Sequence, residues 1–277
     1  MKTTLTRKAE RPLPTRRRRL KFGYDGKWWG VSPGLDPARQ TYAAVSKGAW
    51  PSLVFVAPLL ILYEFAVVVA GGTDPASVRG AADLWMRQGL GWIGLKDPFW
   101  VPFLLAAGLL IQHVRERRDW RFAPVTLPGM ILESAGYALA LIGLGKLIDL
   151  GFAHLDGLPT LAVDGAGRPF WLDFLGAGLY EEVLFRWILV SLIALGLALI
   201  GTPKVLNAAV AMVASALVFA LAHHFGAPGE SFTWYAFIFR WTAGVVFAWI
   251  FLERGFGIAV GTHTAYDMLV GCFGWHL

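Results

Sequence analysis

Charge is scarce in this chain. Asp, Glu, Lys and Arg make up 16% of its 277 residues, where a soluble domain carries about 25%. Hydrophobic residues make up 56%, and the mean hydropathy is +0.53. No soluble-looking block is long enough to form a domain of its own, so the composition points to one domain solvated by lipid. Cysteine is nearly absent too. A single residue, Cys272, excludes an internal disulfide and any cysteine-based zinc cluster. The first 48 residues hold no apolar run, so no cleavable signal peptide is expected. Internal repeats and low-complexity tracts are missing as well, which argues against the repeated halves found in many transporters.

What is present fits a membrane bundle. Thirteen tryptophans and thirty-two glycines suit transmembrane helices, which tolerate Gly and collect Trp at their interfaces. Hydropathy predicts spans near 50–71, 98–114, 126–151, 171–200, 204–224, 232–252 and 256–275, each close to the roughly 20 residues a bilayer requires. Residues 78–96 are too polar and too Gly-broken to span, and read as an interfacial amphipathic helix. The expected fold is therefore all-α: a polytopic membrane protein of about seven transmembrane helices, with six to eight defensible. Residues 49–277 form its single transmembrane domain, with a catalytic core over about 170–275.

Net charge is +6 and the pI about 9.6, but the excess is local. Arg7, Lys8, Arg11, Arg16, Arg17, Arg18, Arg19 and Lys21 all precede the first span. A basic arm over 1–48, flexible or lying on the membrane surface, follows the positive-inside rule and reads as a cytoplasmic anchor on anionic lipid. Nucleic acid is not an expected partner. With the N-terminus cytoplasmic, Arg115, Arg117, Arg118, Lys204 and Arg254 fall on the same side.

Against this apolar background, Glu181-Glu182-Val183-Leu184-Phe185-Arg186 lies inside a predicted span. Each charge costs about 2.5–3.5 kcal/mol to insert, so the three must face the bundle interior. Helical spacing separates them. Glu182 and Arg186, four apart, share a face and read as a buried ion pair. Glu181 is turned about 100° away and lacks that partner, which suits a general base acting on water. His223-His224 ends the fifth predicted span, either capping its helix or entering a site. His263 and Asp267 are four apart in the seventh, where the carboxyl group can orient the imidazole or both can face a cavity. Such a set can make a hydrolytic site. One carboxylate with two histidines, Glu181, His223 and His263, is also a known catalytic zinc set. Glu64, Glu133, Lys146 and Asp149 read as structural or interfacial, and Arg240 as an ion-pair partner or a group that recognises a substrate carboxylate.

Three motifs in this order, Glu181-Glu182-x-x-x-Arg186, Phe219-x-x-x-His223 and His263-x-x-x-Asp267, resemble those of the CAAX prenyl protease and bacteriocin-processing family of intramembrane proteases, the type II CAAX endopeptidases. The resemblance covers about 170–275. It implies an intramembrane endopeptidase in which Glu181 activates water shared with His223, His263 and Asp267 stabilise the oxyanion, and Glu182 and Arg186 support the site. Asp267 stands where the family often has Asn. The favoured mechanism requires no cofactor, with a divalent metal such as zinc as the alternative. The implied partners are a protein or peptide substrate, with a lipidated or membrane-anchored one as an option, and membrane lipid; the composition and the missing organelle signals point to a bacterial inner membrane. Other protease signatures give no competing site: His-Glu-x-x-His and Gly-x-Gly-Asp do not occur, and Gly-x-Ser-x-Gly occurs as Gly30-Val31-Ser32-Pro33-Gly34, in the polar arm before the first predicted span. Ser215 lacks the glycine setting of a rhomboid nucleophile and reads as a packing residue. The alternatives to a protease are an ion- or proton-coupled transporter, because intramembrane acids, imidazoles and guanidiniums also make relays, and a non-catalytic scaffold or immunity protein.

Overall fold

In lipid a backbone must satisfy its own hydrogen bonds, and a single apolar segment does so only as a helix. The structure, a computed structural model, describes residues 41–152, 170–225 and 231–273, and among them there are helices and no strands. The basic arm up to residue 40, most of the loop over 152–169, and residues 226–230 and 274–277 lie outside the described residues.

In chain order the helices are α1 (Tyr42–Ser46), α2 (Ala49–Gly71), a 3-10 turn (Pro75–Val78), α3 (Ala81–Trp92), α4 (Trp100–Glu116), α5 (Thr126–Phe152) and α6 (Phe170–Gly176). A π-helix (Ala177–Val190), α7 (Ser191–Leu199), α8 (Lys204–Ala222), α9 (Trp234–Arg254) and α10 (Phe256–Phe273) follow. Among the described residues, five segments are long and apolar enough to cross a membrane: α2, α5, the continuous stretch Trp171–Leu199, α8 and α9. The other two expected spans are helical but weaker: α4 has 17 residues, and α10 carries His263 and Asp267.

Side-chain contacts fix the direction of these helices. Ser52 Oγ accepts from Gly257 N at 3.0 Å, and the space beside Gly261 is filled by Phe55 and Ser134. Helices α2, α5 and α10 therefore start at one end and run the same way. Helix α9 finishes at that end, where the Arg254 guanidinium pairs with Glu133 (2.5 Å) and donates to Ser46 Oγ and the Ala43 carbonyl. Arg118 reaches the Ala44 carbonyl. Residues 41–48, the last part of the predicted arm, are thus a docked helical turn. Tyr42 donates to Glu133 at 2.7 Å; burial and that carboxylate push its phenol up to about 12. Gly255 turns α9 into α10 at φ 89°, with the Lys47 carbonyl so close that a Cβ would lie 2.7 Å from it. Only glycine fits there.

The opposite end holds the 3-10 turn, α3, the start of the π-helix and the end of α8. The helix expected over 78–96 is present, but its polarity is reversed from a simple interfacial helix. Asp83 is 1% exposed, whereas Trp92 is 82% exposed. The charged face looks into the bundle.

Candidate active site

The acid pair sits on the π-helix rather than an α-helix. Bonds from i to i+5 add a residue to each turn, are less favourable than α geometry, and recur at functional sites. Each residue therefore turns through less than the 100° expected from α geometry. Even so, the predicted pairing forms: Glu182 Oε1 lies 3.0 Å from Arg186 Nη1, both side chains sealed from solvent. The pair is not alone. His263 Nδ1 bonds the same carboxylate oxygen at 2.7 Å.

Close helix contact makes this possible. A Cβ at Gly178 would lie 2.7 Å from the Thr264 backbone nitrogen, so glycine lets the π-helix press onto α10. Gly244 does the same between α9 and α8, where Ala216 and Phe219 leave 3.0–3.2 Å, and its carbonyl faces Arg186 Nη2 at 3.5 Å. The Arg186 guanidinium lies over the Phe219 ring (4.3 Å) and near that of Phe247 (5.2 Å). Aromatic faces attract a desolvated cation, which gives the Phe of the second motif a physical task. Phe247 also stacks on the His263 ring, 4.4 Å away and 17° from parallel.

Glu181 points elsewhere, to a partly open position. Its Oε2 is 3.8 Å from His223 Nε2 and 3.8 Å from His263 Nε2, too far for direct hydrogen bonds. Its side chain is 18% exposed and that of His223 24%, against 0% for Glu182. His223 does cap α8, through Nδ1 and the Phe219 carbonyl at 2.8 Å. A carbonyl only accepts, so that bond places the proton on Nδ1 and turns the Nε2 lone pair toward Glu181. Asp267 Oδ2 is 3.5 Å from His263 Nε2. The structure thus brings Glu181, His223, His263 and Asp267 around one position, with Glu182 and Arg186 behind them. Among the described residues no group of three or more His, Cys, Asp or Glu is placed to hold a metal ion.

Sequence reasoning missed a second charged cluster. Glu64 pairs with Arg79 (2.9 Å) and Arg87 (2.7 Å), and Asp83 pairs with the same two arginines, both at 2.6 Å. Burial opposes the charge on Arg79, but its carboxylate partners more than offset that and hold its pKa above the ordinary value. Tyr63 donates to Asp83 at 3.1 Å, and Tyr180 donates to Glu64. The i, i+4, i+8 spacing of Arg79, Asp83 and Arg87 was the available signal, together with an unexplained acid at Glu64. A cavity of about 580 Å³ opens beside this cluster, lined among others by Arg79, Leu84, Arg87, Lys96 and Val101. Glu181, His223 and His263 do not line it.

No curated protein and no solved structure matches the chain. A family model does: residues 168–269 match the one described as type II CAAX prenyl endopeptidase Rce1-like. The match spans all three motifs and the helices that bring them together. By sequence, the segment holding Glu181, His223 and His263 is thus similar to the type II CAAX prenyl endopeptidase, Rce1-like family.

Proposed function

We propose that this protein is an intramembrane endopeptidase that hydrolyses a peptide bond of a membrane-associated or C-terminally tagged protein or peptide. One observation carries the reading: Glu181 Oε2 stands 3.8 Å from the Nε2 atoms of both His223 and His263. A water in that gap donates one hydrogen to the Glu181 carboxylate and the other to His223 Nε2, which leaves an oxygen lone pair for the substrate carbonyl. Glu181 takes the proton as hydroxide adds to the carbonyl carbon. The C=O becomes an oxyanion, and His263 Nε2–H and protonated Asp267 donate to it. Collapse breaks the C–N bond, and Glu181 returns its proton to the leaving amine. No step is routed through a metal ion.

Glu182 gives His263 its orientation. Carboxyl oxygens face both ring nitrogens, and a neutral ring donates from only one. The doubly protonated ring donates to Glu182 through Nδ1 and turns Nε2–H toward the oxyanion. Lys47, Arg118 and Arg254 share one end of the bundle, which supports a cytoplasmic assignment for that end in a bacterial inner membrane. The site then opens toward the other half.

The test is cleavage in proteoliposomes of two reporter peptides with one Cys-aliphatic-aliphatic-X tail, one farnesylated and one bare, with the cut located by mass spectrometry. Cleavage of either, undiminished by chelators, is expected. Intact peptides with correctly folded protein would contradict the proposal.

A further inference from the structure

The buried cluster of Glu64, Arg79, Asp83 and Arg87 has no part in the chemistry above, yet one of its hydrogen bonds ends beside the proposed base. Two guanidiniums and two carboxylates are expensive to bury, and apolar residues of similar volume often pack as stably or better. Stability alone is a poor reason for such a cluster. Its connections suggest another. Tyr63 and Glu64 come from α2, and Arg79, Asp83 and Arg87 from the 3-10 turn and α3. Tyr180 alone comes from the π-helix. Its hydroxyl donates to Glu64 Oε1, and Arg87 Nη2 lies 3.4 Å from it. The Tyr63 ring packs 5.2 Å from the Tyr180 ring and against Gly176, where a Cβ would come within 2.7 Å.

Three successive residues therefore point three ways. Tyr180 faces the cluster, Glu181 faces the two imidazoles, and Glu182 faces Arg186 and His263. Rotation of the π-helix about its axis is held on one side by the Tyr180 hydroxyl and on the other by Glu182 and Arg186. A helix with i to i+5 bonds has a ready alternative in the α register, and that change would swing Glu181 off His223 and His263.

We propose that Tyr180 is a positioning residue for Glu181, tethered by Glu64 and Arg87 so that the π-helix presents Glu181 to both imidazoles. The inference rests on the proposed function. A base displaced by about 1 Å loses up to a hundredfold in rate while substrate binding is little changed, so the tether acts on kcat rather than KM.

The experiment uses the full chain in proteoliposomes with the farnesylated and bare reporter peptides, comparing Tyr180→Phe, Glu64→Gln, Glu64→Leu and Glu181→Gln. Tyr180→Phe removes only the hydroxyl. It is expected to lower kcat tenfold or more with KM within twofold and thermal unfolding close to the parent's. Glu64→Gln keeps an acceptor for Tyr180 and is expected to retain more of the rate than Glu64→Leu. Combining Tyr180→Phe with Glu64→Leu should lower kcat no further than the worse single variant. Should Glu64→Leu fail to fold, Tyr180→Phe and Glu64→Gln still decide the matter. Parent-like kcat in Tyr180→Phe, with Glu181→Gln inactive, overturns the positioning role and spares the protease reading. Full cleavage by Glu181→Gln, or no cleavage by the parent, overturns both.

Discussion

Glu182 Oε1 holds His263 Nδ1 at 2.7 Å and Arg186 Nη1 at 3.0 Å, in a position closed to solvent. One carboxylate oxygen thus neutralises a buried guanidinium and fixes the tilt of the imidazole that faces Glu181. Removing its charge leaves Arg186 buried with its nearest counter-charge gone. Glu182→Gln is expected to cost about 3–5 kcal/mol of stability, the usual effect of breaking a buried pair. The double variant Glu182→Gln/Arg186→Met should recover much of that while peptide cleavage stays lost. Unfolding in detergent and reporter cleavage measure the two effects separately.

His223 both caps α8 and faces Glu181. Losing the cap is worth about 1 kcal/mol, as for an ordinary hydrogen bond. Losing a partner that orients the attacking water is worth about 10²–10⁴ in rate. His223→Ala is therefore expected to unfold only a few degrees below the parent and to cleave at least a hundredfold more slowly. Equal small losses in both would reduce His223 to a helix cap.

A Cβ at Gly178 would meet not only Thr264 Oγ1 but also the Thr264 backbone N and Cα, at 2.7 and 2.8 Å, so rotating the threonine side chain would not relieve an added group. Gly178→Val should separate the π-helix from α10, abolish cleavage and lower thermal stability together. Gly143, with nothing near its Cβ position, sets the comparison: Gly143→Ala should leave activity unchanged.

Tyr42 ties α1 to Glu133, and its phenol is raised from 10.0 to about 12. A raised pKa means that the protonated form is favoured when α1 is docked. That contribution is complete below pH 10 and is lost as pH rises through 12. Phenolate absorbance of the parent minus Tyr42→Phe should titrate near pH 12. A difference titrating near 10 would mean that the helical turn is not docked.

Much of this arrangement was legible in the sequence, because burial cost is local information. Three charges in an apolar run had to face inward, and four-residue spacing correctly paired Glu182 with Arg186. The helices carrying His223 and His263 followed from hydropathy alone. Other features depend on contacts that no local pattern encodes. The π register at 177–190 lies where Tyr63 packs on Gly176 just before it, Thr264 packs on Gly178 and the Gly244 carbonyl faces Arg186. The inward face of α3 was hidden because Arg79, Asp83 and Arg87 read equally well as a solvated face until Glu64, 15 residues earlier, supplies the counter-charge. The second partner of Glu182, His263, lies 81 residues away.

The central claim is that Glu181, not its neighbour, is the base. Glu181→Gln keeps the shape and removes the carboxylate placed between the two imidazoles. Single-turnover cleavage of the reporter peptide should fall by a factor of about 10³ or more, with unfolding unchanged because Glu181 makes no direct hydrogen bond to either imidazole. Cleavage at the parent's rate by a folded Glu181→Gln protein would contradict the account.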